Sequence, residues 1–231
     1  MDLKGKVAVI TGAKGGLGPF VTERFLGAGA RVLGISKKIS SEDFAHPEFY
    51  AMPLDVLDGE AAVNLGKAAL SKFQAVDILV HLVGGFAGGK PIPETEDETW
   101  QRMLDLNVRS FFNMLRAVVP HMRAAGYGRI VAVGSRAAVE PQANVAAYSA
   151  SKAALVSMVR SAAAENKDAG ITANAILPGT MDTPTNRAAN PAADPSRWVS
   201  PAKVAGLALW LCSAEASEVS GAAIPVYGRE A

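Results

Sequence analysis

Tyr148 and Lys152 stand four residues apart in Tyr-Ser-Ala-Ser-Lys, inside 146–165, a stretch rich in Ala, Ser and Leu that reads as a helix. Helical spacing sets the two side chains on one face, one above the other. An ammonium beside a phenol favours the phenolate, so it is expected to draw the tyrosine pKa from about 10 toward neutral. A tyrosine tuned in this way gives or takes a proton near neutral pH, which is general acid–base work. The spacing alone also fits a solvated helix face, so the rest of the chain decides between the two.

A second pattern opens the chain. Lys6-Val-Ala-Val-Ile10 is short and β-branched, and Thr11-Gly12-Ala-Lys14-Gly-Gly16-Leu17-Gly18 follows at once. Phe20, Val21, Phe25 and Leu26 then recur at helical spacing. A strand, a glycine-rich turn and a helix make a phosphate cradle. The glycines admit a close approach of backbone to a pyrophosphate, and the helix start offers free N–H groups and partial positive charge.

Together these residues resemble the short-chain dehydrogenase/reductase family over nearly the whole chain. Thr11-Gly12-x-x-x-Gly16-x-Gly18 resembles its cofactor loop, and Asp55-Val56 the acidic pair that meets the adenine. Asn107 in Leu-Asp-Leu-Asn-Val, Ser135 in Val-Gly-Ser, Tyr148 and Lys152 match its catalytic tetrad in order and spacing. Pro178-Gly179-Thr-Met181-Asp-Thr183 is similar to the loop that holds the nicotinamide carboxamide. One departure stands where most members read Asn-Asn-Ala-Gly: this chain has His81-Leu82-Val83-Gly84, keeping only the glycine.

The resemblance implies hydride transfer between a nicotinamide and a carbonyl or carbinol carbon. Tyr148 would pass the proton. Lys152 would lower its pKa and hold the nicotinamide ribose. Ser135 would place the substrate oxygen, and Asn107 would bind a water linking Lys152 to solvent. Cofactor choice is read at the end of the second strand, where an acid accepts from a ribose 2′-hydroxyl and basic residues favour a 2′-phosphate. The run Gly34-Ile35-Ser36-Lys37-Lys38 has no acid, Ser36 standing in its place. Lys37, Lys38 and Lys14 are therefore expected to favour NADP(H) over NAD(H).

Three segments resemble dihydropteridine reductases more closely than the common family pattern: 84–89, 134–140 and 177–187 with Pro191, Asp194, Ser196 and Trp198. Those enzymes reduce a quinonoid ring, lack the serine and carry the acid that this chain lacks. A flat polar substrate is the alternative this suggests. An alternative of another class is a nucleotide-binding protein that keeps the fold without turnover.

Positioning such residues takes an alternating framework. Strands are expected at 7–11, 31–36, 50–54, 77–82, 129–134, 171–177 and 222–226, and helices at 17–28, 59–72, 99–123, 146–167 and 201–212. That alternation predicts an α/β fold: a doubly wound parallel sheet of Rossmann type, helices on both faces, in a single domain over 1–231. Ligands on such sheets bind beyond the carboxyl ends of strands. The glycine loop, Asp55, Gly84, Ser135 and Pro178 all fall just past predicted strand ends. Two Pro/Gly/Ala-rich loops, 84–95 and 183–199, would wall the substrate pocket.

The chain has 231 residues and a net charge of +1, with 23 basic against 22 acidic side chains. No basic block marks a nucleic-acid partner. The one cysteine, Cys212, lies in an apolar helical run and reads as core. His81 ends the apolar run Ile78-Leu-Val-His-Leu-Val and reads as a satisfied buried histidine, His46 and His121 lack a partner constellation, and no pair of His, Cys or carboxylates has metal-ligand spacing, so no metal site is expected. No run approaches the length of a membrane span, and Met1-Asp-Leu-Lys-Gly-Lys does not read as a signal peptide. A cytoplasmic enzyme acting on a small molecule is expected. The family resemblance implies a homodimer or homotetramer, with contacts through the helices at 99–123 and 146–167.

Overall fold

The structure, a computed structural model, describes residues 1–229. Seven strands form one parallel sheet: β1 Val7–Thr11, β2 Arg31–Ser36, β3 Phe49–Pro53, β4 Ile78–His81, β5 Gly128–Val133, β6 Ile171–Pro178 and β7 Ala223–Val226. Their order is β3-β2-β1-β4-β5-β6-β7. The chain winds outward in one direction from β1 and then, from β4, in the other. The strand order reverses between β1 and β4, and that crevice is where such sheets bind dinucleotides.

β1, β4 and β5 are buried on both sides because both sheet faces are covered. On one face Val9, Leu33, Leu79 and Ala132 pack under α2 (Gly59–Phe73), α4 (Ser110–Ala125) and α5 (Ala146–Asn166). On the other, Ile10, Val80 and Val131 pack under α1 (Gly18–Gly27) and α7 (Pro201–Leu211). Cys212 is buried in that second layer, as expected of a core residue. None of the helices among the described residues is long and apolar enough to cross a membrane.

One predicted element differs in a way that bears on the site. The expected single helix over 99–123 is three pieces: α3 Asp97–Leu104, a π-turn Asp105–Arg109, and α4. The side-chain periodicity of the two flanks is helical throughout, so a sequence pattern does not see the extra residue. The loop at 183–199 is also more ordered than expected. It carries α6 (Pro184–Ala189), started by Thr183, whose hydroxyl accepts the Asn186 N–H at 3.3 Å.

Candidate active site

Four strand ends and three helices converge here. Gly12 follows β1 with φ +69°, a backbone setting that costs glycine little. Leu17 caps and Gly18 begins α1; the Gly18 N–H bonds the Gly15 carbonyl at 3.1 Å and Pro19 carries no N–H. Gly16 faces Thr183: a Cβ on Gly16 would stand 3.3 Å from the Thr183 methyl carbon. The glycine loop and the loop after β6 therefore meet, as the expected pyrophosphate and nicotinamide sites must. Pro178 ends β6, the Gly179 N–H bonds the Val226 carbonyl at 3.0 Å, and Met181 pairs with Val199 in a parallel bridge.

Two of the tetrad candidates, Asn107 and Lys152, flank Gly84. A Cβ there would stand 2.7 Å from Asn107 Oδ1 and 3.0 Å from Lys152 Nζ, so only a glycine leaves room for both. Asn107, on the π-turn, is fully buried. Its Oδ1 accepts the Gly85 N–H at 2.9 Å, and its Nδ2 donates to the Gly85 carbonyl at 3.0 Å and to Ser151 Oγ at 2.9 Å. Ser151 in turn donates to the Tyr148 carbonyl at 2.7 Å. Both Asn107 donors are thereby committed, and its side chain braces the loop after β4 against the start of α5.

Lys152 is buried on α5 and donates to the Val133 carbonyl at 2.9 Å. Burial lowers its pKa to about 8. Ser135 follows β5; its Oγ accepts the Ala137 N–H at 3.2 Å, which leaves its own proton to give. It stands near enough to the Tyr148 phenol to favour the phenolate. The expectation that Lys152 pulls the tyrosine pKa down is not met in this arrangement. Burial raises the Tyr148 pKa, the Ser135 hydroxyl opposes the rise, and the Lys152 ammonium donates to Val133.

The cofactor-end lysines are also differently engaged. Lys37 Nζ lies 2.7 Å from Asp55, and Lys14 Nζ lies 2.6 Å from Asp43 on the turn after β2. Each ammonium holds its carboxyl below the usual range. Lys14 and Lys37 are thus paired, not free for an anion. Ser36 ends β2 opposite Pro53, with no acid in its place. Val56, next to Asp55, is buried in the core.

Phe86 stands edge-on to Tyr148 with ring centroids 5.0 Å apart, and is itself mostly exposed. It lines a cavity of about 390 Å³ with Lys90, Thr99, Arg102 and Asn144, between the loop at 84–95, α3 and the start of α5. Sequence reasoning missed Ser151 and Ser110. Ser151 had a usable signal, since it sits three residues after Tyr148 on the same helix face. No group of three or more His, Cys, Asp or Glu able to hold a metal occurs among the described residues.

Residues 6–194 match the short chain dehydrogenase family. The 3-oxoacyl-(acyl-carrier-protein) reductase FabG of Vibrio cholerae is 31% identical, with 99% of this chain and 98% of that protein covered. The 3beta-hydroxysteroid dehydrogenase 1 of Eggerthella lenta is 33% identical over 98% of this chain and 94% of its own. Among solved structures, 3-ketoacyl-(acyl-carrier-protein) reductase from Brucella melitensis complexed with NADH superposes with TM-score 0.89 at 32% identity, covering 100% of both chains. ElxO with NADP bound superposes with TM-score 0.91 at 22% identity over 96% of this chain and 97% of its own, a likeness of fold. None of these is a dihydropteridine reductase, so that resemblance stays confined to the loop segments.

Proposed function

This chain belongs to the short-chain dehydrogenase family, and on that premise we propose that it is an NADP(H)-dependent oxidoreductase of a small carbonyl or alcohol with Tyr148 as its acid and base. The observation that carries the reading is the placement of Ser135, just past the end of β5, beside the Tyr148 phenol, with Lys152 buried one helical turn further along α5.

The residues fit a dinucleotide. Gly12, Gly16 and Gly18 with Leu17 shape the pyrophosphate turn; Asp55 and Val56 border the adenine. Pro178, Gly179, Met181 and Thr183 border the nicotinamide end, and Gly84 keeps the floor clear. Bound there, the nicotinamide supplies or accepts hydride. Ser135 donates to the substrate oxygen, as an oxyanion donor does. Tyr148 gives its proton to that oxygen, or takes it in reverse. Lys152 holds charge beneath the site, and Asn107 keeps the Gly84–Gly85 loop and α5 in register. The absence of an acid at Ser36 supports NADP(H), with Lys37 and Lys38 nearest; the Asp55 and Asp43 pairs weaken that preference.

The substrate would approach the Tyr148 phenol past Phe86, whose ring already meets Tyr148 edge-on. A flat ring suits the exposed Phe86 face, which keeps quinonoid substrates in the test. That test is turnover followed by cofactor absorbance across 3-oxoacyl thioesters, hydroxysteroids, sugar-acid ketones, quinones and a quinonoid pterin, with Tyr148→Phe beside the native protein. Carbonyl reduction that vanishes in Tyr148→Phe upholds the reading. Turnover that survives it overturns the reading.

A further inference from the structure

His81 ends β4, fully buried, and takes no part in the chemistry described above. Both its ring nitrogens are nonetheless bonded: Nδ1 lies 3.0 Å from Thr11 Oγ1 and Nε2 lies 3.1 Å from Ser110 Oγ. The neighbours fix which nitrogen carries the proton. Ser110 Oγ lies 2.6 Å from the Leu106 carbonyl, which can only accept, so the hydroxyl donates there. Toward His81 it must therefore accept, and Nε2 carries the hydrogen. The bare Nδ1 accepts from the Thr11 hydroxyl, whose oxygen accepts the Leu82 N–H at 3.2 Å. Every donor in this run has an acceptor, and burial keeps the ring neutral, its pKa pushed down to about 3 with the Lys152 ammonium adding to the effect.

The far end of the run is the π-turn. Ser110 N–H, which in an uninterrupted α-helix would serve Leu106, goes to the Asp105 carbonyl instead. The Ser110 hydroxyl takes up the Leu106 carbonyl in its place. π-turns inside helices are locally costly and persist where something holds them. Healing this one would turn one flank against the other by about 100°, one residue of an α-helix. Asn107 would then leave Gly85 and Ser151.

We propose that His81 is a positioning residue: through Ser110 it locks the π-turn that holds Asn107 against Gly85 and Ser151. Its importance to turnover rests on the oxidoreductase reading; its hold on Asn107 does not.

Amide hydrogen exchange on the full-length protein separates the two. The probe is the Gly85 N–H, which Asn107 Oδ1 accepts. Ser110→Ala removes one buried oxygen. His81→Phe keeps a ring against Phe111, 5.2 Å away between centroids, and removes both nitrogens. Ser110→Thr keeps a hydroxyl able to bond the carbonyl four residues back. Val204→Ala, in the opposite core layer, controls for lost stability. Leaving buried partners unpaired should speed Gly85 exchange about tenfold or more in Ser110→Ala and His81→Phe, relative to amides of β5. Ser110→Thr and Val204→Ala should leave that ratio unmoved. Turnover number should fall with the Gly85 signal while the cofactor KM holds. Gly85 exchange unchanged in both variants, or raised only as much as β5, overturns the proposal. Gly85 loosened with turnover intact upholds the lock and instead refutes the catalytic reading of Asn107.

Discussion

The Lys37 ammonium sits 2.7 Å from the Asp55 carboxylate, joining the end of β2 to the turn after β3 across the place where an adenosine ribose would lie. A 2′-phosphate must share Lys37 with that acid or displace it. Both groups are well exposed, so the pair itself adds little stability. A charge-assisted bond to phosphate is worth roughly 1.5–3 kcal/mol, or tenfold and more in preference. NADPH should therefore be preferred in kcat/KM, and Asp55→Asn should widen the preference by freeing Lys37. Ser36→Asp with Lys37→Ala should reverse it, and salt should shrink it in the native protein. A native preference for NADH would refute the assignment.

Tyr148→Phe should cost on the order of 10²–10⁴ in turnover with cofactor affinity unchanged, since only the proton donor is lost. Burial raises the Tyr148 pKa, so the phenol is protonated at neutral pH, the form reduction needs. Alcohol oxidation needs the phenolate and should climb as the pH is made alkaline. A flat pH–rate profile in the oxidative direction would contradict this.

Gly84→Ala places a methyl 2.7 Å from Asn107 Oδ1, which is held by Gly85, and 3.0 Å from Lys152 Nζ, which is held by Val133. Neither neighbour can yield without breaking a bond. We expect about 1–3 kcal/mol of lost stability and a larger loss of turnover than Gly27→Ala on α1, where a Cβ meets nothing within 4 Å. Equal behaviour of the two variants in thermal unfolding and assay would count against the packing described.

His81 makes stability fall in acid. Its folded pKa of about 3 lies below the ordinary 6.5, so between those values the unfolded chain binds a proton that the folded chain refuses. Stability from this group is fully present above about 6.5 and declines as pH falls toward 3, by about 1.4 kcal/mol per pH unit. Denaturant unfolding across that range should show the slope, and His81→Phe should remove it.

Self-association is expected through α4 and α5. Phe112 is half-exposed on α4, with the Arg116 guanidinium over its ring, an apolar surface on a helix that a second copy can cover. Light scattering at micromolar concentration should give a multiple of 24.0 kDa, and Phe112→Glu should lower it. A native mass of one chain would refute the expectation.

The sequence by itself determined what depends on neighbours along the chain. Strand runs such as Val7–Thr11 and Arg31–Ser36, the glycine turn before α1, and Tyr148 with Lys152 on one helix face are local patterns with periods of two and 3.6 residues. Only the tertiary structure decided what those side chains bond. Asn107 meets Gly85, Lys152 bonds the Val133 carbonyl, Lys37 finds Asp55, and Lys14 finds Asp43. The π-turn belongs with these. It is held by His81, which reaches Ser110 from another element, and no helical pattern within 97–125 records that contact. Hydrogen bonds and burial between distant segments set these partners, and they also set the direction of the Tyr148 pKa against what the Tyr–Lys spacing suggested.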